Sequence, residues 1–592
     1  MMKFFKMVLA VVVGMFAGGV LFFVVMIALV AAAIGSSEGM NSQKTVSVSE
    51  NTVLRMDLSH TIKEQNKNED FNFTSGKFKI TENLGLQNIV RTIEKAKTDD
   101  KIKGIYLPLS SMPNGFATTD VIRRSLIDFK ESGKFIVAYG EYASQKAYYL
   151  ASVADKIYIN PEGIVEIRGI GTQLTFFKKM LDKLEAEVQV FKVGTFKSAI
   201  EPFIREDVSE PNRKQLEYLL GGIKEAFINN ISKSRGITTA HLENSINELK
   251  ITSAEKAVEL GLIDAAYYAD EVIADLAERL SIEETAEIEF IDMNKYGSAI
   301  KTETPLTKNM VAVVYAEGDI VSDKAEDKLS SEEFAEIIRK LRLNEDVKAI
   351  VLRVNSPGGS ALASEVIWRE LELAKKDKKL IVSMGNLAAS GGYYISCGAD
   401  YIFAEENTIT GSIGVFGLVP NFETFLKNKI GVTFDEVNLN THASMNGVTN
   451  KFDALEHQVI QNGVERVYNT FTKRVAEGRN MHQDSVKVYA EGRVWTGEQA
   501  LKIGLVDKIG DLDDAIAYAV ELSEVDDYRL KEFPKKKELM EQLMGDFGFE
   551  AIKMKLLKAE LGSEYKYYQQ VKNIKANFNT IQMRMPFDIE VQ

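Results

Sequence analysis

The segment Lys103-Gly104-Ile105-Tyr106-Leu107 returns as Lys348-Ala349-Ile350-Val351-Leu352, and Tyr148-Tyr149-Leu150-Ala151-Ser152-Val153-Ala154-Asp155 returns as Tyr393-Tyr394-Ile395-Ser396-Cys397-Gly398-Ala399-Asp400, both at an offset of 245 positions. Further on, Ala257 and Gly261-Leu262-Ile263-Asp264 answer Ala500 and Gly504-Leu505-Val506-Asp507 at an offset of 243. An offset held over so long a stretch means that one structural plan is used twice, so the 592 residues divide into two related domains. Whatever fold one half adopts, the other adopts as well.

Within each copy, short β-branched runs alternate with helical patterns. Residues 104–109 read as a strand, the polar and apolar stretch to Lys130 as a helix, and residues 135–139 as the next strand. In the second copy residues 349–354 read as the strand, Asn355-Ser356-Pro357-Gly358-Gly359 as a turn, and residues 361–375 as a helix with apolar residues at helical spacing. That order predicts an α/β domain with a parallel sheet. The stretch 284–308, containing Thr302-Glu303-Thr304-Pro305, is the expected junction. The expected organisation is a membrane anchor over 1–40, repeat domains over 41–300 and 301–530, and a Lys- and Met-rich helical tail over 531–592.

Residues 7–34 carry no charge and follow Lys3 and Lys6, which predicts a transmembrane helix. A cleaved signal peptide is the alternative, with Ala31-Ala32-Ala33 as a processing site, but a signal core is ordinarily about 7–15 residues long. By the positive-inside rule the two lysines keep the N-terminus in the cytoplasm and everything after Gly35 outside, which in a bacterium is the periplasm.

A net charge of −13 with no sustained basic stripe argues against a nucleic-acid partner. The single cysteine, Cys397, excludes an intrachain disulfide and any multi-cysteine metal site, and reads as a buried packing residue. The five histidines show no paired spacing, so neither a metal nor another cofactor is implied.

The chemistry lies where the copies differ. The second copy carries Gly385-Asn386-Leu387-Ala388-Ala389-Ser390-Gly391-Gly392-Tyr393, whose small residues allow a sharp strand-to-helix turn with an exposed Ser390 hydroxyl. Backbone N–H groups at such a helix start stabilise an oxyanion, and the glycines of the Pro357-Gly358-Gly359 turn can supply a second donor. The first copy has Gln145 opposite Ser390 and Met112-Pro113-Asn114 opposite that turn. It has instead Lys197, in Gly194-Thr195-Phe196-Lys197-Ser198-Ala199-Ile200-Glu201-Pro202-Phe203, where the second copy has Ala443. Each copy keeps what the other lacks. Lysine serves as a general base only when neutral, which requires apolar burial; Phe196 and Ile200 are candidate walls. Ser412, in Thr410-Gly411-Ser412-Ile413-Gly414, is a candidate to orient the amine.

Together these motifs resemble the signal peptide peptidase A (protease IV) family in its long, duplicated form, from the anchor to about residue 520. The resemblance implies two tandem ClpP/crotonase-like α/β repeats after a transmembrane helix. It also implies Ser390 as nucleophile, Lys197 as base, Ser412 as the partner of the lysine, and Gly359 with Gly391 as the oxyanion hole, Gly358 being able to exchange with Gly359. It further implies a homotetramer on the inner membrane, open to the periplasm, that degrades signal-peptide remnants and other apolar peptides. Three other readings stay open: a Ser/His/Asp protease using His442 or His457, a crotonase-like acyl-CoA enzyme, and an inactive peptide-binding scaffold.

Overall fold

The computed structural model describes residues 48–535, apart from 75–76, 284, 286–287, 301–304 and 325–327, together with 557, 560–562 and 581–585. The transmembrane helix expected at 7–34 lies outside these residues, as do parts of the junction and most of the tail. Among the described residues no helix is long and apolar enough to cross a membrane.

Each copy builds one sheet. In the first, the strands run in the order Ala265–Ala266, Lys156–Val165, Phe135–Ala143, Ile102–Pro108, Thr52–Arg55 and Phe290–Asp292, every pair parallel. In the second, Lys379–Ala389, Val347–Ser356, Met310–Glu317 and Arg529–Phe533 are parallel neighbours in the same sense. Tyr401–Ala404 and Ile409–Gly411 both pair with Lys379–Ala389.

The residues that recur at the offset are those that hold the strands together. Tyr148 Oη donates to the Leu262 carbonyl at 2.7 Å, and Tyr393 Oη to that of Leu505 at 2.9 Å. Asp155 accepts from the Ile136 N–H and Asp400 from that of Leu380, at 2.8 and 2.9 Å. Asp264 and Asp507 do the same for Ile157 and Ile402, at 2.9 and 2.8 Å. Each carboxylate thus satisfies a backbone donor at a strand start that the ladder leaves open.

Met310–Glu317 shows why these strands read as continuous apolar runs: layers cover both faces. Ala312, Val314 and Ala316 join a core with Phe334, Ile338 and Leu341, the inward stripe of helix Ser331–Leu343. Val311, Val313 and Tyr315 meet Leu512, Ala515, Ile516 and Ala519 of helix Leu512–Leu522. Each fully buried Val, Leu or Ile contributes about 1.5–3 kcal/mol.

A third sheet joins the two copies, in the order Leu329–Ser330, Ile320–Val321, Gly358–Ser360, Ile581–Arg584, Val415–Asn421 and Glu187–Val193. The last two pair antiparallel from Val415 opposite Val193 to Asn421 opposite Glu187. Within the stretch expected as a helical tail the described residues include both kinds: 557 and 560–561 are helical, whereas Ile581–Arg584, and Arg529–Phe533 at the start of the stretch, are strands, for which open sheet edges offer a backbone ladder. Charged side chains also meet across the two copies, one pair buried and the other with its arginine exposed. Arg353 Nε donates to Glu64 Oε2 at 2.8 Å, with the two side chains 2% and 4% exposed. Arg124 Nη2 stands 2.7 Å from the fully buried Glu405 carboxylate, close enough for attraction but without hydrogen-bond alignment.

Candidate active site

Strand Lys379–Ala389 runs out at Ser390, and helix Gly391–Ser396 begins at the next residue. Ser390 takes φ 54° and ψ −111°, a conformation that few side chains adopt; its N–H is held by the Gly411 carbonyl at 2.8 Å. The first copy has no such turn. There Ser144, at φ −64°, caps helix Gln145–Ala151 in the ordinary way by accepting from the Ala147 N–H. Gln145 spends its side chain on the backbone of Arg168 and Gly169, where its Oε1 accepts two N–H bonds.

Lys197 lies in the loop between strand Glu187–Val193 and helix Glu201–Ile204, and the sheet shared by the copies carries that loop across to the second one. Its Nζ stands 3.0 Å from Ser390 Oγ, 3.0 Å from Ser412 Oγ and 3.3 Å from the Ser412 carbonyl. Lys197, Ser390 and Ser412 are all fully buried. Burial alone holds the lysine well below the usual lysine range, since no carboxylate acts on it to favour the charged form. Like Ser390, Ser412 has a positive φ, of 50°.

Of the expected walls, Ile200 is fully buried, whereas Phe196 is half-exposed and lies under the Arg493 guanidinium at 4.0 Å. The ring facing the amine is Phe416, 5.9 Å from Nζ. Ala443, expected opposite Lys197, lies in an exposed turn.

Sequence reasoning missed the residues that hold the lysine loop. Gln215 donates to the Phe196 carbonyl at 3.0 Å and to Ser198 Oγ at 3.1 Å, and accepts from the Val494 N–H of the second copy at 3.4 Å. Gly492 leaves room for the Lys197 backbone: a Cβ there would come within 2.7 Å of it. Nothing in local composition marks Gln215 or Gly492. Gly414, by contrast, sits in the motif already singled out, and a Cβ on it would lie 3.1 Å from Lys197 Cδ.

The turn glycines are also at the site. Gly358 has φ +98°, and a Cβ built on it would lie 2.6 Å from the Gly391 nitrogen. Gly359 has φ +157°, and a Cβ on it would run into the backbone of Ile320 at 2.1 Å. Gly358 therefore faces the helix start, while Gly359 is packed within the third sheet.

The histidines are occupied elsewhere. His442 Nδ1 is 3.0 Å from Glu456 Oε1, and the His457 ring packs against Phe191 at 4.5 Å. Among the described residues His442, Asp453 and Glu456 are the one group close enough to share a metal, and the two carboxylates already cap helix Ala454–Gly478. Cys397 is fully buried, donates to the Tyr394 carbonyl at 3.2 Å, and has its thiol pushed up to about 12, which suits packing rather than chemistry.

A family model described as Peptidase family S49 matches residues 128–283 and again 372–526, and one described as Clp protease matches 302–408. A protein named Protease 4, from Salmonella typhi, is 36% identical over 482 residues, covering 80% of this chain and 77% of that one. A protein named Serine protease SPPA, chloroplastic, from Arabidopsis thaliana, is 34% identical over 484 residues, covering 80% and 69%. One named Putative signal peptide peptidase SppA, from Enterococcus faecium, is 38% identical over 246 residues, covering 40% and 71%. The duplicated α/β fold and these relatives make the chain a serine protease. It belongs to peptidase family S49, with one match to that family in each of its two copies.

Proposed function

We propose that Ser390 is the nucleophile and Lys197 its general base in a membrane-anchored endopeptidase. The observation that carries the reading is the buried Nζ of Lys197 at 3.0 Å from Ser390 Oγ, with no histidine or carboxylate among the described residues bonded to either. Neutral Lys197 takes the proton as the serine oxygen attacks a peptide carbonyl carbon. The carbonyl oxygen gathers negative charge between the N–H of Gly391 and that of the Gly358–Gly359 turn. As the C–N bond breaks, the ammonium returns the proton to the leaving amine. A water deprotonated by the same lysine then hydrolyses the acyl-enzyme. Ser412 holds the amine so that its lone pair meets Ser390.

The uncharged residues 7–34 supply the anchor, with repeat domains 41–300 and 301–530 on the periplasmic side of the inner membrane. The family resemblance supports signal-peptide remnants as substrates and a homotetramer as the assembly. The test is labelling by a fluorophosphonate probe. Wild-type protein and the His442→Ala and His457→Ala variants are expected to label, whereas Ser390→Ala and Lys197→Ala are not. Labelling of Ser390→Ala, or its loss in a histidine variant, refutes the assignment.

A further inference from the structure

Residues 491–494 lead from helix Gln483–Tyr489 into strand Val494–Thr496 and bond, in turn, to the two loops that meet at the Lys197 amine. The Glu491 carbonyl accepts from the Phe196 N–H at 2.9 Å. Gly492 donates its N–H to the Ile413 carbonyl at 2.8 Å, and the Arg493 carbonyl accepts from the Ser412 N–H at 2.7 Å. Val494 donates to Gln215 Oε1 at 3.4 Å, and Gln215 Nε2 donates to the Phe196 carbonyl at 3.0 Å. The outer two connections hold both backbone groups of the residue before Lys197. The inner two hold Ser412 and the residue after it.

The approach is closest at Gly492. A Cβ there would stand 2.7 Å from the N, Cα and Cβ of Lys197, and a Cβ on Gly414 would stand 2.8 Å from Gly492 Cα and 3.1 Å from Lys197 Cδ. Three backbone segments therefore pack along the lysine without side chains between them.

The duplication shows what the glycine is for. At the offset of 243, position 492 corresponds to Leu249 (492 − 243 = 249). Both residues have a positive φ, 83° and 51°, so the turn itself admits a side chain. Leu249 is 68% exposed. What demands glycine in the second copy is thus the approach of Lys197 rather than the backbone conformation alone.

We propose that residues 491–494 are a positioning clasp for the general base, acting through Gly492 and Gln215: they hold Lys197 and Ser412 in one register and close the space along the lysine to water. This rests on the reading of Lys197 as base. A dry amine is neutral and accepts the serine proton, whereas a loosened clasp admits water, favours the ammonium and moves the lysine back toward about 10.4. The activity lost is then the neutral fraction, which alkali restores.

The test is the pH dependence of kcat/KM for hydrolysis of a short apolar peptide by the full chain. Gly492→Ala and Gln215→Ala are expected to move the acid limb of the profile upward by about one pH unit or more. Activity then falls about tenfold at neutral pH and returns as pH rises. Glu64→Ala, destabilised at a different contact between the copies, is expected to keep the wild-type limb. Gln215→Ala removes a link without adding bulk, so it answers the question even where Gly492→Ala fails to fold. A wild-type limb in Gln215→Ala, or a loss by the same factor at every pH, overturns the clasp. The two readings fail separately: Lys197→Ala as active as wild type removes the base and the clasp with it, whereas an inactive Lys197→Ala beside an unmoved limb in Gln215→Ala removes the clasp alone.

Discussion

Lys197 Nζ stands 3.0 Å from Ser390 Oγ across 193 positions of sequence, one residue from each copy of the repeat. The pair exists because strand Glu187–Val193 of the first copy adds to strand Val415–Asn421 of the second, which delivers the lysine loop to the serine turn. The amine is buried with hydroxyl and carbonyl partners alone, so the site is held against the preference of a lysine for water.

Lys197→Met is therefore expected to remove activity and add stability. The rate should fall by about 10⁴-fold or more in kcat/KM, measured by peptide hydrolysis. The folded-state pKa of Lys197 lies below its unfolded value, so between the two the unfolded chain binds the extra proton and the lysine subtracts stability. That penalty shrinks as pH rises toward about 10.4. Thermal unfolding should show the variant above wild type at neutral pH, with the gap closing in alkali.

Ser412→Ala removes a hydroxyl 3.0 Å from the amine but leaves the Ser412 carbonyl in place. Steady-state kinetics should show kcat reduced about 10- to 100-fold with KM unchanged, because the base is misdirected while the groove is intact.

The two turn glycines should respond differently to alanine. Gly358→Ala, at φ +98°, places a methyl 2.6 Å from the Gly391 nitrogen and 2.1 Å from the Met583 carbonyl oxygen, and should lower kcat about 10²- to 10³-fold together with the unfolding temperature. Gly359→Ala collides with the Ile320 backbone, so its main effect should be a lower unfolding temperature.

Glu64→Ala leaves the Arg353 guanidinium buried with its charge unanswered, although Ser383 and the Met384 carbonyl still bond it. Chemical denaturation should show a loss of about 3–5 kcal/mol, and a Glu64→Ala/Arg353→Met double variant should recover part of it.

Glu405 is pushed up to about 8 by burial, which outweighs the attraction of Arg124. A raised carboxyl pKa means the folded chain holds the proton more tightly. Its contribution is complete below about 4.5 and is lost as pH rises through about 8. Glu405→Gln should flatten that decline, seen as a higher unfolding temperature than wild type at pH 9 and little difference at pH 5.

Much of the site is readable from the chain because a duplication supplies its own control. Ser390 stands out against Gln145, and Lys197 against Ala443, since each position is occupied by chemistry in one copy and by an inert residue in the other. Gln215, Phe416 and Gly492 had no such contrast of chemistry. Phe416 and Gly492 touch the lysine loop only after the strands of the two copies have joined, and Gln215 reaches it from helix Glu210–Arg235 of the same copy, through a contact that only folding creates. The strand at 581–584 was hidden for a related reason: Ile-Gln-Met-Arg is too short a run to declare its partner, and its ladder comes from edges distant in sequence.

The amino-acid order by itself determined the duplication and the alternation of strand and helix, and it pointed to the serine and the lysine proposed as nucleophile and base, because these follow from local periodicity and from comparison of one half with the other. Only the tertiary structure decided that the amine is dry, that its aromatic neighbour is Phe416, and that the chain's own Met583 carbonyl rests at the glycines beside Ser390. Burial, and the pKa that follows from it, belong to what surrounds a residue in space, and that surrounding is built from both copies at once.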